Sequence, residues 1–301
     1  MNKQRIRFSG HQTFSLRYGW LEKGYEFTAR GQRFSHESSI VDLGVGKNMV
    51  DSIKYWCEMT GIIEEDRVSR FGQQLLDEQK GWDPYLEDLA SWWLLHWKII
   101  THVNYKTSGT ALFSYLRKPE FSKQDVAEAT LRLVDEGKKA PADSIIMRDV
   151  DCFIRSYCGT RRFEKKKAGE DTFECPFQEL NLIQVMSDGD FYRFSIGSKV
   201  SLPAEIIGYA ICEYFGREKK NAMTIQKILY REGSPGQVFM LDENTLIEAV
   251  QDLHENPIWG RRFDFTESAG LAQVYCNVDP EESEELLNIY YRQGGASWAQ
   301  N

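Results

Sequence analysis

Apolar and polar residues alternate with a helical period between Ile40 and Ile63, which predicts two helices joined by a tight turn. The turn is Leu43–Gly46, whose two glycines tolerate positive φ and end the first helix. Gly61 ends the second helix. The apolar face of the second helix comprises Met49, Val50, Ile53, Trp56 and Cys57. Its opposite face comprises Lys47, Asn48, Asp51, Ser52, Lys54 and Tyr55. A basic and polar start to the second helix suits a DNA major groove, although two ordinary core helices would show the same pattern.

The residues that follow this motif predict a winged-helix layout and then a series of helices. Charged residues from Glu64 to Arg70 indicate a short hairpin. Asp83 and Pro84 indicate the start of a long helix to Ile100, since aspartate caps helices and proline is favoured at their first position. His96 lies beside the apolar stripe of this helix, which favours a hydrogen-bonded core histidine. Further helices are predicted over 71–79, over 122–136 with Ser122 as the cap, and over 144–157.

Short strands appear in the pattern after residue 179. Apolar stretches on both sides of residues 187–190 predict a β-hairpin. Three helices over 203–215, 223–230 and 242–254, followed by strands at 263–265 and 273–276, predict a second winged-helix-like unit. The fold class is therefore predicted as α+β and mostly α-helical. The predicted domains are a basic arm with a winged helix-turn-helix (1–80), a helical domain with a basic loop (81–175) and a winged-helix-like domain with an acidic terminal helix (176–301).

Composition places the chain among water-soluble globular proteins. Hydrophobic residues make up 42% and charged residues 27% of the 301 positions. Residues 1–7 are polar and precede no apolar segment, so no secretory signal is expected. The densest apolar stretch, 86–100, contains Glu87, Asp88 and Lys98, which indicates a core helix and no membrane span. We therefore expect the cytoplasm as its location.

Charge is distributed unevenly along the chain. The net charge of −8 argues against a protein that coats nucleic acid indiscriminately. Residues 1–54 nevertheless contain nine Lys/Arg against five Asp/Glu, whereas residues 239–301 contain three Lys/Arg against twelve Asp/Glu. A basic front and an acidic back would orient the molecule toward a polyanion, and chance asymmetry of a solvated surface is the alternative.

The N-terminal segment 3–24 interleaves basic and aromatic residues, a combination that suits phosphate contact with base stacking. The aromatic rings would equally serve as core, with Phe14 and Trp20 buried. Thr13 or Ser15 would cap a short helix through Tyr18. A second basic stretch lies in the loop 158–176, where a solvated linker is the alternative to phosphate binding. The candidate DNA-binding residues are Arg5, Arg7, Arg17, Lys23, Lys47, Asn48, Ser52, Lys54, Arg161 and Arg162.

Candidate catalytic groups are few. Gly44–Asn48 lacks the first glycine and the Ser/Thr of a phosphate-binding P-loop, and no HExxH or GxSxG motif occurs. Asp151 followed by Glu164 and Lys166 matches an acidic residue plus an E-x-K arrangement, which nucleases use with a divalent ion such as magnesium or manganese. His11, on a Ser9-Gly10 turn, is a candidate acid or base, and a structural turn histidine is the alternative.

The six cysteines contain no CxxC pair. Cys152, Cys158 and Cys175 would be three ligands of a zinc site whose fourth ligand is missing, so reduced, buried thiols are the expectation. The sequence therefore predicts no metal site of its own.

Several blocks of the sequence resemble one bacterial domain family, formerly of unknown function, found in DNA phosphorothioation and related phage-defence operons. The resemblance rests on the blocks 8–14, 17–24, 43–53, 175–180 and 234–239, so it covers most of the chain. It implies DNA binding and strand nicking within a complex that replaces a backbone oxygen by sulfur. It also implies three companions, which are a cysteine desulfurase, an ATPase and a reductase-like sulfurtransferase, and it leaves a homodimer open.

The expected function is therefore a DNA-binding, DNA-nicking protein acting on double-stranded DNA. Because no standard nuclease motif is visible, the nicking activity follows from the resemblance alone. The alternatives are a non-catalytic DNA-binding adaptor or transcriptional regulator, and a protein-interaction scaffold.

Overall fold

Helix α5 (Leu89–Ile100) lies at the centre of the buried core. The structure is a computed structural model, and it describes residues 5–134, 140–158, 175–186, 189–268 and 271–292. Trp92, Trp93 and Trp97 of α5 are each at most 2% exposed, and the apolar cluster around them includes residues from Leu16 to Tyr290. The predicted core helix is thus confirmed. Within the described ranges, no helix has both the length and the apolar content to cross a membrane.

The N-terminal part contains the predicted pair of helices and the hairpin. Gly44 takes a φ of 63° and ends the first helix, and its N–H donates to the carbonyl of Val41 at 3.1 Å. Glu65 and Asp66 form the tip of the hairpin, both with positive φ. The elements are β1 (Arg5–Ile6), α1 (Trp20–Ala29), α2 (Ser39–Leu43), α3 (Lys47–Met59), β2 (Ile63–Glu64), β3 (Arg67–Val68) and α4 (Arg70–Leu76).

The middle part is tied to the N-terminus through a strand pair. Strand β1 runs parallel to β4 (Tyr105–Lys106), with Arg5 opposite Tyr105. Ser122 caps the following helix as predicted, in a reciprocal capping box with Asp125. The further elements are α6 (Ser108–Thr110), a π-helical turn (Ala111–Tyr115), β5 (Glu120–Ser122), α7 (Lys123–Leu131) and α8 (Asp143–Tyr157).

The C-terminal part contains two small three-stranded sheets. The predicted hairpin is present as β6 and β7, and β5 from the middle part adds to it in the order β5-β7-β6. The second sheet has the order β8-β10-β9. The elements are a 3-10 helix (Pro176–Leu180), β6 (Ile183–Val185), β7 (Phe191–Phe194), α9 (Ala204–Glu218), β8 (Ala222–Thr224), α10 (Ile225–Tyr230), α11 (Pro235–Phe239), α12 (Glu243–Glu255), β9 (Phe263–Ser268), β10 (Leu271–Cys276), a 3-10 helix (Pro280–Glu282) and α13 (Glu284–Arg292). The mixed α+β class is confirmed, and the three-domain division stays a prediction.

Two predicted helix starts are wrong. Asp83 does not cap α5, because its carboxylate accepts the N–H groups of Glu87 and Asp88 in a separate turn, both at 3.0 Å. Asp88 is the cap instead and accepts from the N–H of Ala90 at 2.9 Å. The short helix expected through Tyr18 is also absent, since Thr13 has a φ of 67°, outside the extended region that a helix cap adopts, and residues 14–17, which include Ser15, form no helix.

His96 is a hydrogen-bonded core histidine, as the sequence indicated. It is fully buried, its Nε2 lies 2.9 Å from the carbonyl oxygen of Val238, and its Nδ1 lies 2.7 Å from the hydroxyl of Tyr157. The ring is neutral, because burial lowers the pKa of His96 to about 4. It therefore donates from Nε2 and accepts at Nδ1, and it joins α5 to both α8 and α11.

Glu22, on α1, is a partly buried carboxyl group without an ion partner among the described residues. Its Oε2 is buried and has no hydrogen-bond partner there. Burial raises the pKa of Glu22 to about 7, and the charges of Asp83 and Glu26 act in the same direction. The folded chain therefore holds a proton on Glu22 between about pH 4.5 and 7 that the unfolded chain releases.

We expect Glu22→Gln to stabilise the protein increasingly as pH rises through this window. The native carboxyl group must lose its proton in a poorly solvated place, so its contribution to the free energy of unfolding falls with pH, by an amount on the order of 2–3 kcal/mol over the whole window. Urea unfolding at pH 5 and pH 8 measures the difference. Glu37→Gln, at an exposed position outside α1, is the control and should show no such trend. An equal effect of Glu22→Gln at both pH values would contradict the assignment.

Candidate nucleic-acid interface

The first turn of α3 is an exposed, positively charged helix start. Gly46 occupies the cap position with no side-chain hydrogen bond to the first turn, and no acidic residue lies in that turn. Lys47 and Asn48 are both exposed. Lys23 of α1 reaches the same place, since its Nζ lies 3.3 Å from the carbonyl oxygen of Leu43 at the end of α2. Free backbone N–H groups, the helix dipole and two lysines together favour an anionic ligand.

The polar face predicted for α3 is narrower than the sequence pattern indicated. Ser52 is fully buried and its hydroxyl has no partner among the described residues, so the placement of Ser52 at DNA is wrong. Tyr55 is equally buried. Because α1 packs along one side of α3 and the turn 9–13 covers another, the buried arc is wider than a single apolar stripe. Lys54 is partly exposed, and its Nζ is 2.5 Å from Asp66 Oδ1 and 3.6 Å from Glu58 Oε1.

The basic residues of the N-terminal arm differ in their exposure and in their contacts within the protein. Arg7 pairs with Glu58 at 2.6 Å, and its guanidinium lies over the rings of Tyr55 and Tyr105. Arg17 is half-buried, over the rings of Phe14 and Trp20. These two side chains hold aromatic groups in place. Among the arm candidates, the exposed cations are Arg5 and Lys23.

Part of the predicted site lies outside the described residues. This applies to Arg161 and Arg162, and to Glu164 and Lys166 of the E-x-K arrangement.

His11 is buried against a carboxylate that the sequence did not indicate. Its side chain is 1% exposed, and its Nε2 lies 2.8 Å from Asp149 Oδ1 on α8. The Nδ1 accepts the N–H of Thr13 at 3.0 Å, so the proton shared with Asp149 is carried by Nε2. Asp149 also accepts the N–H of Ser9 at 2.9 Å and the hydroxyl of Ser108 at 2.7 Å. Among the described residues, the His11 ring is thus buried and both of its nitrogens are hydrogen-bonded within the protein.

The turn that carries His11 is strained. Ser9, Gln12 and Thr13 all have positive φ, which is uncommon for residues other than glycine and an outlier for a β-branched threonine. Gly10 permits the turn to lie on α3, since a Cβ atom there would come within 2.3 Å of the Tyr55 ring. Asp149 holds one end of the turn, and Arg155 holds the other through a 2.9 Å bond to the carbonyl of Thr13.

The carboxylate of Asp151 is ion-paired with two basic side chains. It forms ion pairs with Lys123 and with Arg155, whose Nε lies 2.8 Å from Oδ2. Burial acts to raise the pKa of Asp151, but the hydrogen bond from Lys123 and the charge of Arg155 outweigh it and the pKa is lowered. Asp151 therefore remains ionised and serves an ion-pair network between α7 and α8.

The described residues do not fit a metal held by several side chains. Nowhere in the part of the chain that the structure describes do three His, Cys, Asp or Glu side chains come together closely enough to hold an ion. The six cysteines are free and buried, in agreement with the expectation of reduced thiols.

Two other surfaces are too acidic for DNA. The tip of the β2–β3 hairpin exposes Glu64, Glu65 and Asp66. Helix α12, which corresponds to the third predicted helix of the C-terminal unit, contains no lysine or arginine, and its exposed residues include Glu243, Glu248, Asp252 and Glu255. Because exposed carboxylates repel a phosphate backbone, neither surface adds to the candidate interface at the α3 start and the arm.

Sequence reasoning missed Asp149, the residue on which the His11 turn depends. Its signal was an acidic residue on the apolar stripe of α8, between Ile146 and Phe153. Charged residues at such positions are almost always paired. The pattern therefore indicates that Asp149 has a hydrogen-bond or ion partner, but it does not show which residue that partner is.

Comparison with known proteins gives one family and one structural relative. Residues 8–291 match the family described as protein of unknown function (DUF4007). No curated protein matches the chain in sequence. The magnesium ion-bound SspB crystal structure is similar with 28% sequence identity and a TM-score of 0.83, over 98% of this chain and 91% of that chain. A further SspB crystal structure is similar with 27% identity and a TM-score of 0.83, over 98% of this chain and 92% of that one.

We expect Asp149→Asn to destabilise the protein strongly. The amide oxygen can take the place of Oδ1 and keep the bonds from Ser9 and His11, but the –NH2 group then replaces Oδ2, so the Ser108 hydroxyl loses its acceptor and the charge that strengthens all three bonds is removed. The expected cost is about 1–3 kcal/mol. Asp151→Asn, two residues further on the same helix but partly exposed, is the matched control and should cost less than about 1 kcal/mol. Thermal unfolding at neutral pH compares them, and equal losses would contradict the role given to Asp149.

Proposed function

The chain belongs to the DUF4007 family, and on that premise we propose that it is a DNA-binding protein of a phosphorothioation or related phage-defence system. The similarity to SspB over almost the whole chain supports this assignment. The finer proposal is a protein that nicks double-stranded DNA. By the same resemblance, its partners are a cysteine desulfurase, an ATPase and a reductase-like sulfurtransferase.

The observation that carries the DNA-binding proposal is the uncapped, basic start of α3. A recognition helix normally enters the major groove with its N-terminal residues at the base edges. Here those residues are Lys47 and Asn48, both exposed, and asparagine is suited to bidentate contact with adenine. The β2–β3 hairpin follows α3 directly, in the order expected of a winged helix. Lys23 and Arg5 supply further positive charge on the arm.

Nicking has less support from the described residues. His11 is buried, and the carboxylate of Asp151 is ion-paired with Lys123 and Arg155. The described side chains do not form a metal-binding site. A magnesium ion would stabilise developing charge on a phosphate oxygen when bound. The specific alternative is a non-catalytic DNA-binding adaptor or regulator, for which the α3 surface is sufficient.

We expect Gly46→Asp to change stability and DNA binding in opposite directions. An aspartate at this cap would accept the free N–H groups of α3 and stabilise the helix by about 0.5 kcal/mol. Its negative charge would occupy the place of a phosphate and weaken binding about tenfold or more. A Cβ atom at residue 46 meets nothing within 4 Å, so the fold accommodates the change.

Gly46→Ser is the matched control, because serine caps the helix without a charge. It should raise the melting temperature similarly and keep the dissociation constant for a 20-base-pair duplex within about twofold. Gel shift and thermal unfolding of the three proteins complete the test. Unchanged DNA binding by Gly46→Asp would remove α3 from the interface.

Relaxation of supercoiled plasmid, with and without magnesium, separates a nickase from an adaptor. If the protein nicks DNA, we expect His11→Ala to lower the melting temperature, binding and nicking together, since His11 holds the strained turn. Gln12→Ala, at the exposed neighbour, should leave all three unchanged. Loss of nicking alone in His11→Ala would make His11 a catalytic residue, and no relaxation by the wild-type protein would favour the adaptor.

A further inference from the structure

A cleft of about 400 Å³ lies where the N-terminal helix α4 meets the C-terminal helix α13. One wall is Arg70 of α4, and another is the segment after α12 with Ile258, Trp259 and Arg262. Four glutamates at and before the start of α13, together with Asn288 of the same helix, complete the lining. None of these residues takes part in the DNA interface proposed above.

The cleft has an excess of negative charge. Arg70 pairs with Glu284 at 2.7 Å, and Arg262 pairs with Glu282 at 2.5 Å. The two other glutamates, Glu281 and Glu285, are exposed and have no cationic partner among the described residues. The cleft therefore holds two uncompensated carboxylates beside two internal ion pairs.

A buried donor in the same cleft has no acceptor. Trp259 is 2% exposed and lines the cleft, and its indole N–H has no hydrogen-bond partner among the described residues. Buried polar groups are normally paired, so an unpaired one calls for a ligand or another explanation. Beside it, Ile258 is 56% exposed and offers an apolar surface at the rim.

We propose that this cleft binds a basic segment of a partner protein, in which arginine or lysine residues alternate with aliphatic ones. A cationic side chain of the segment pairs with Glu281 and Glu285, and an aliphatic side chain covers Ile258. Charge complementarity selects this partner class, because a nucleic acid would be repelled. A small metal ion is disfavoured because three ligating side chains do not converge among the described residues.

The position of the cleft gives the partner access to the DNA-binding part of the molecule. Arg70 belongs to α4, which follows directly after the β2–β3 hairpin, and its ion pair with Glu284 spans the cleft. A bound segment would lie against both the N-terminal and the C-terminal parts. The acidic back would then recruit a protein while the basic front remains free.

The test uses the full-length protein with 13C-labelled isoleucine methyl groups. The Ile258 signal is assigned with Ile258→Val, a small change at an exposed position. The probe is a five-residue peptide of alternating arginine and leucine with blocked ends, and a peptide of alternating glutamate and leucine is the negative probe. We expect the basic peptide to shift the Ile258 signal in a saturable manner and the acidic peptide to leave it unchanged.

Charge reversal then locates the binding. Glu281→Lys/Glu285→Lys should weaken binding of the basic peptide about tenfold. Glu243→Lys/Glu248→Lys, on exposed positions of α12 that do not line the cleft, makes the same change in net charge and should weaken it less than about twofold. Both double variants should keep the wild-type melting temperature within a few degrees, because all four side chains are exposed.

Several results would overturn the proposal. Equal weakening by the two double variants would mean general attraction to an acidic surface. Absence of any Ile258 shift would remove the cleft as a site, and a shift caused by magnesium chloride alone would assign it to a cation. A shift that grows with protein concentration without peptide would assign it to a second copy of the chain. None of these results depends on DNA binding, so the outcome is independent of the function proposed above.

Discussion

The buried carboxylate of Asp149 is the constraint on which the N-terminal surface depends. A fully buried charge is tolerated only when hydrogen bonds satisfy it, and here three donors from two distant parts of the chain do so. One consequence is that His11 and Ser9 must come to α8, which forces the intervening turn into a left-handed backbone conformation. That turn then lies on Tyr55 and closes one side of α3. The exposed arc of α3 is therefore set by a residue that never reaches the surface.

Charge is separated in space as well as in sequence. The start of α3 and the arm expose cations, whereas α12 and the cleft beside Trp259 expose more carboxylates than cations. Several arginines of the basic segment are already used internally, as Arg7 is with Glu58. The effective positive surface is therefore smaller than the composition of residues 1–54 indicated. The positive charge of this segment that is free to contact a ligand belongs to a few side chains. A single substitution at one of them should therefore change binding measurably.

Local rules predicted most elements of the fold. The helix pair around Gly44, the Ser122 cap, helix α12 and both C-terminal strands follow from periodicity, turn residues and capping chemistry, all of which act within a few residues. What failed depends on contacts between distant residues. Ser52 has the spacing of a surface residue but is covered from outside its helix. Asp149 meets His11 across 138 positions, which no local pattern encodes. The same limit hid the pairing of β5 with β7.

His96 and Glu22 give the fold opposite responses to acid. Glu22 binds a proton on folding because its pKa is raised to about 7. His96 releases a proton on folding because its pKa is lowered to about 4. Between about pH 4.5 and 6.5, acidification stabilises the folded state through Glu22 and destabilises it through His96. The two contributions oppose each other, so in mildly acidic solution the stability depends less on pH than either group alone would make it.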